Sequence, residues 1–237
     1  MIRTVGVDGF VISFGDKLHE ASNRAALAFR AAIEDARIDG VLETSSTLVS
    51  AYVRFDPLAC SHADLHLRLS RLIDAQDWAM AVLPQGRRSW RIPVVLGGAH
   101  GPQLALAAQA AGLTEAEAIL SISQSRLRVQ TIGFAPGMPY LGELPGAWDI
   151  PRKTDLNPKV PAGGLCVALR QLVLFPAETQ TGWHHIGQTA VRVFDAQADA
   201  PFMLRPGDEV QFSPVGPQDL APLFDAPHGG AEVEMVP

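Results

Sequence analysis

From residue 126 onward the apolar runs are short and are divided by glycine and proline, at 129–134, 165–169, 172–175, 190–194 and 209–212. None is long enough to give a helix a buried face, and regular turn signals between short strands argue for a β-barrel or a β-sandwich. Within this region residues 133–142 read GFAPGMPYLG, with glycines at 133, 137 and 142 and prolines at 136 and 139. So many chain breakers exclude a helix and argue against a regular strand. The segment reads as a shaped loop, a place where a rigid frame can aim side chains and backbone amides. It holds no nucleophile, acid or base of its own. A second glycine-rich turn, Pro161-Ala162-Gly163-Gly164, follows it.

The first 84 residues have a different texture. An apolar, β-branched strand at 5–14 ends at Gly15-Asp16. Helical spacing follows over 18–37 through Leu18, Ala21, Ala25, Ala28, Phe29, Ala32 and Ile33. Two strands at 41–43 and 47–55 flank the polar Thr44-Ser45-Ser46, a second helix spans 64–73 with Ser61 as its cap, and 79–83 reads as a last strand. This order is the split βαβ, ferredoxin-like pattern. Beyond residues 84–88 (PQGRR) come a strand at 90–96 and helices at 102–111 and 114–121, the second opening on a capping-box sequence. The expected architecture is α+β: a small ferredoxin-like domain over 1–85, then a β-rich domain over 86–237. Residues 205–212 read as a turn leading into a strand, with Asp208 and Glu209 serving the turn.

With 19 basic and 25 acidic residues and no basic cluster, neither nucleic acid nor an anionic membrane is an expected partner. Two cysteines, Cys60 and Cys166, no secretory signal and no membrane-length apolar stretch give a cytoplasmic protein as the expectation. No P-loop, nucleophile elbow or HExxH helix is present, and Gly97, Gly98 and Gly101 read as a turn. His62 and His66 share a helix face, but nothing nearby completes a metal set, so no metal is expected. His184-His185, adjacent on a strand, reads as one packed and one exposed ring. Arg152 stands evenly between a site cation and a solvated charge, whereas Lys153 and Lys159 read as solvated charges.

The segments GFAPGMPYLG, IPRKTDLNPKVPAGG and LFPAETQTGWHHIGQTAVRVFD together resemble the family of the kinase inhibitor KipI and the B subunit of 5-oxoprolinase. That family is also known as allophanate hydrolase subunit 1 and resembles part of the carboxyltransferase domain of urea amidolyase. Supporting matches are SFGD with Asn23, VRFDP, IPVVLGG and GLT, so the resemblance spans about residues 7–215.

The resemblance implies a cyclophilin-like β-barrel after the small domain. It also implies work with a homologous partner, the C subunit, and, in 5-oxoprolinase, with the A subunit, coupling ATP hydrolysis to opening of a cyclic amide. ATP would then be held by, or shared with, a partner. The alternative implied role is a non-catalytic, KipI-like module that inhibits a histidine kinase or steadies a partner. Carried over by position, the substrate-binding candidates are Phe134, Pro136, Gly137, Tyr140, Pro161, Gly163, Gln171, Gly182 and Trp183, with Arg152 as the catalytic cation. In this reading the glycines present amides to a bound carbonyl or carboxylate, and Tyr140 and Trp183 form walls.

The chain also departs from the family pattern. GGExGPDL becomes GGAHGPQL, with Ala99 and Gln103 in place of carboxylates. A second Pro-Arg becomes Leu156-Asn157, a Gly-Gly pair becomes Leu169-Arg170, and Ile122 and Leu127 stand where the pattern has histidine and tyrosine. Several groups suited to acid–base chemistry are thereby missing.

Overall fold

The N-terminal segment expected as one strand is a hairpin. In the computed structural model, which describes residues 1–236, β1 (Ile2–Val5) turns at Gly6, at φ +63°, and pairs antiparallel with β2 (Gly9–Ser13). With β3 (Val41–Ser46) and β4 (Ser50–Phe55) they form an antiparallel sheet in the order β1-β2-β4-β3. Helices α1 (Glu20–Ala36) and α2 (His62–Asp74) pack Phe29, Ile33, Leu65 and Leu69 with Phe10, Ile12, Val53 and Phe55 of the sheet in one apolar core. Ser61 caps α2 by accepting from the Asp64 amide.

The chain order of this first unit, Met1–Gln85, is therefore ββαββα, which differs from the expected βαββαβ. Residues 79–83 form no strand, and the sheet edge beside β2 is filled by β1. The reason lies in Trp78. Its ring packs edge-on against Phe29 at 4.9 Å, and its indole N–H donates to the Leu72 and Ile73 carbonyls. This ties the segment to the helices and away from the sheet. His62 packs edge-on against Phe10 and Phe55, and no metal-binding group of residues occurs among the described residues.

The second unit, Gly86–Pro237, is built on a closed barrel. Its strands are β5 (Arg88–Leu96), β6 (Leu127–Ile132), β7 (Pro139–Gly142), β9 (Gly164–Ala168), β10 (Gln171–Leu174), β12 (His184–Gln188) and β13 (Glu209–Pro214). Their order is β12-β9-β10-β7-β6-β13-β5, and β12 pairs with β5 to close seven strands. Strand β14 (Glu232–Met235) lies on the other end of β5, and β8 (Asn157–Val160) pairs with β11 (Thr179–Thr181) as a separate ribbon. Helices α3 (Leu104–Ala110), α4 (Glu115–Gln124) and α5 (Pro217–Leu223) complete the unit. The capping box expected at Thr114 and Glu117 is present.

Two sequence expectations fail here. Residues 139–142 are an inner strand of the barrel, its pairing with β6 bulged between Val129 and Thr131, and Pro139 stands at its first position, where the missing N–H is tolerated. Residues 190–194 make no strand beyond a single bridge between Phe194 and Phe202. The 205–212 turn is as expected: Asp208 accepts from the Arg205 amide. It also pairs with Arg88 at the start of the parallel β5–β13 ladder.

Alternation along the strands sorts residues into two layers. Ile92, Val94, Val129, Leu141, Val167, Leu172, Ile186 and Phe212 belong to one core cluster drawn from all seven strands. Only the interior of a closed barrel can collect side chains from every strand, so this is the inner layer. Cys166, Ala168 and Val173 point the other way and join Met138, Val160, Phe175 and Trp183 in a second cluster on the outer face. The β8–β11 ribbon and the 133–138 loop cover that face, and the candidate site is built there.

His184 and His185 pair with β9 and are both buried, where one exposed ring was expected, with Pro151 against the first and Gln103 against the second. Each ring has a carbonyl at its Nε2, from Pro151 at 3.2 Å and Gly187 at 3.1 Å respectively. Burial is the main cause that lowers both pKa values, so folded His184 and His185 bind protons less readily than they do in the unfolded chain. The unfolded chain takes up these protons as pH falls below about 6.5, and stability present above that pH is lost below it. The urea midpoint should therefore drop between about pH 7 and pH 5, and the drop should shrink in a His184→Gln/His185→Gln variant.

Two turns make opposite demands on residue type. Gly137 lies at φ +73°, and a Cβ there would sit 2.7 Å from both Val193 O and Phe194 Cβ. Gly137→Ala should cost about 2–4 kcal/mol from backbone strain plus overpacking. Gly146, with open space around it, should tolerate alanine within about 0.5 kcal/mol. The β9–β10 hairpin instead places Leu169 and Arg170 at φ +52° and +60°, where the family pattern has glycines. Arg170 is compensated by its bond to Leu144 O and its pairing with Glu143. Leu169→Gly should accordingly stabilise the protein by about 0.5–1 kcal/mol in equilibrium denaturation.

Candidate functional site

The outer face of β7, β10 and β9 carries Tyr140, Val173 and Cys166 side by side, through the pairings Tyr140–Val173 and Val173–Cys166. Trp183, just before β12, folds over this face and meets the Tyr140 ring edge-on at 6.1 Å. Arg152 lies over the Trp183 indole, its guanidinium carbon 5.3 Å from the ring centroid. A guanidinium on an aromatic face in this way is held by the ring quadrupole while its N–H groups stay free to bind a ligand. Burial raises the Tyr140 pKa, and the nearby Arg152 charge opposes that shift.

Of the predicted site residues, Tyr140, Arg152, Trp183 and Gly182 come together. Gly182 accepts from the Lys153 amide at 2.7 Å, and a Cβ on it would approach Lys153 O, so glycine here permits the 151–153 segment to lie against β12. The other predicted residues do different work. Phe134 and Pro136 face solvent. Gly137 is packed against Val193 and Phe194. Gly163, in the turn opened by Pro161, donates its N–H to Phe175 O and accepts from both the Thr189 amide and hydroxyl. The amide of Gly163 is thus tied into the structure and does not present itself to a ligand, contrary to expectation. Gln171 lies on the outer face, but its amide nitrogen is bonded to Gln130 at 2.6 Å.

Sequence reasoning passed over a polar network beneath these residues. Lys153 donates to Asn157 Oδ1, which also accepts from Gln103 Nε2. Asn157 Nδ2 donates to Trp183 O at 2.6 Å and to Gln103 Oε1 at 3.1 Å. Gln103 Oε1 accepts from the His185 amide at 2.7 Å, and the Gln103 amide donates back to His185 O at 2.9 Å. Gln103 and Asn157 are two positions where the chain departs from the family pattern, losing an acid and a base respectively. In space the two side chains bond to each other through both of their amide groups. The signal available in the sequence was this pairing of opposite losses.

The family of the carboxyltransferase domain, subdomain C and D, matches residues 1–204. The B subunit of 5-oxoprolinase from Bacillus subtilis (strain 168) is 31% identical over 232 residues, covering 92% of this chain and 94% of that protein. The B subunit of 5-oxoprolinase from Escherichia coli O157:H7 is 43% identical over 151 residues, 62% of this chain and 69% of that one. The crystal structure of TTHA0988 aligns with a TM-score of 0.73 at 32% identity over 91% of this chain, which spans only 40% of that longer chain. The Kluyveromyces lactis urea amidolyase shares the fold, with a TM-score of 0.74 at 15% identity over 99% of this chain and 16% of its own. The match over most of the chain and the near full-length likeness to the Bacillus protein place it in the carboxyltransferase subdomain C and D family, together with the 5-oxoprolinase B subunits.

Proposed function

We propose that this chain is one subunit of an ATP-dependent amidohydrolase that opens 5-oxoproline or a related small cyclic amide, working with a homologous C subunit plus an A subunit. The observation that carries this reading is the Arg152–Trp183–Tyr140 arrangement, a cation set on an aromatic wall and suited to a small, flat, anionic ring. The relatives' designation as a B subunit supports the need for further chains. ATP is assigned to a partner chain or to a site shared with one, in keeping with the lack of a P-loop in this sequence. Arg152 would hold the ligand carboxylate, and Tyr140 and Trp183 would flank the ring and keep water from it.

A second reading, a non-catalytic module that docks on a histidine kinase or steadies a partner, draws on the loop tip. Phe134 is 77% exposed in a strained backbone conformation, as a docking residue would be. The two readings separate in one experiment. Co-expressed with its own A and C partner subunits, the chain should support ATP hydrolysis that depends on 5-oxoproline and releases glutamate and phosphate. Arg152→Met should lower kcat/KM about 10- to 100-fold, the loss expected for one charge-assisted hydrogen bond. No turnover by the assembled subunits removes the enzymatic reading, and kinase autophosphorylation unaffected by the chain removes the kinase-inhibitor one.

A further inference from the structure

Lys153 was expected to be a solvated charge, and its surroundings say otherwise. Its side chain is partly buried, and its ammonium donates to the neutral Asn157 Oδ1. Among the described residues no carboxylate forms an ion pair with it. Lys159, six positions on, shows the ordinary alternative: it is exposed and paired with Glu178 at 2.9 Å. An ammonium has three donors, so Lys153 retains hydrogen-bonding capacity toward an incoming group.

The acceptor that holds Lys153 is itself immobilised. Both amide donors of Asn157 and both lone pairs of its Oδ1 are engaged, by Gln103, the Trp183 carbonyl and Lys153. Gln103 is clamped in turn by two bonds to the His185 backbone. A partly buried network whose central asparagine is fully satisfied fixes that side chain in one geometry. Because the pair is neutral, it orients the Lys153 charge without cancelling it. Ordering a long lysine side chain costs rotamer entropy, and a single neutral acceptor in a partly desolvated setting is a poor return for that. The Lys153 amide donates to Gly182 O, and the asparagine that holds its ammonium donates to Trp183 O, so the lysine is tied to the backbone beside Trp183.

We propose that Lys153 is a second anion-binding cation of the candidate site, held by Asn157 and Gln103, so that the ligand meets Arg152 on the aromatic wall and Lys153 beneath it. The assignment rests on the site proposed above, and it narrows the ligand to a small carboxylate whose negative charge, or whose amide oxygen as it gains charge, lies between two cations. Asn157 and Gln103 act as positioning residues.

The chain has only three lysines, Lys17, Lys153 and Lys159, which makes the ammonium directly observable. In a 15N-labelled full chain, the NH3⁺ resonance assigned by its loss in Lys153→Met should shift saturably with acetate and with 5-oxoproline. It should not respond to 2-pyrrolidinone, the same ring without the carboxylate. By calorimetry, Lys153→Met should bind 5-oxoproline about 10- to 100-fold more weakly. Asn157→Asp, which sets a carboxylate against the ammonium, should abolish the acetate response while the amide spectrum stays folded. A shift with acetate but not 5-oxoproline would overturn the 5-oxoproline reading and leave the Lys153 assignment standing. Where the parent chain binds 5-oxoproline, unchanged affinity in Lys153→Met would overturn the assignment itself, as would an ammonium that responds to no anion.

Discussion

The second unit depends on one strand having three partners. β5 runs parallel to β13 along most of its length, takes β14 at its N-terminal end and takes β12 at its C-terminal end, through Gly187–Leu96 and Gln188–Val95. The contact with β12 closes the barrel, and it demands small residues. A Cβ on Gly187 would lie 2.8 Å from Val95 O, and one on Gly101 would run into the Ile186 backbone. The Arg88–Asp208 pair fixes the other end of the ladder, with Asp208 almost wholly buried and also bonded to two backbone amides. Once the barrel is closed, its interior is committed to packing. Binding groups then have to stand on the outer face, where the β8–β11 ribbon and the glycine–proline loops wrap it.

That division explains why the glycines of the family motifs are structural more than chemical. Gly137, Gly163 and Gly182 each lie where a Cβ would strike backbone of another segment, at Val193, Thr189 and Lys153. They let three loops press onto the barrel closely enough for Trp183 to meet Tyr140. The functional groups are then the side chains those loops deliver, and the glycines set distances among them.

Local rules in the sequence were legible wherever local physics decides. The Thr114–Glu117 capping box, the Ser61 cap, the Asp208 turn and the barrel strands other than β7 follow from propensity, period and turn chemistry. The misses come from contacts between distant segments. Trp78 draws residues 79–83 away from the sheet through bonds to the end of α2, which no window around residue 80 reveals. Tyr140, Trp183 and Arg152 were found through motif resemblance, whereas Phe134 and Pro136 belong to the same motif and face away from them. Lys153 was missed because its environment is set by Asn157 and by Gln103, 54 positions from that asparagine. The departures at 103 and 157 read as separate losses of groups suited to acid–base chemistry, and the structure shows that the two side chains touch.

The electrostatic character of the site follows from what burial does to each titratable group in it. Burial raises the pKa of Tyr140 and of Cys166 further above neutrality, which favours the protonated phenol and thiol. It lowers that of His184, and so holds the imidazole uncharged. Tyr140, Cys166 and His184 are thus shifted toward their neutral forms by the same desolvation. A neutral, largely apolar setting with two cations and no carboxylate among its described residues attracts anions and stabilises negative charge that develops on a bound carbonyl. Under the proposed function, this chain's part is to bind and polarise the ligand, with ATP held by, or shared with, a partner chain.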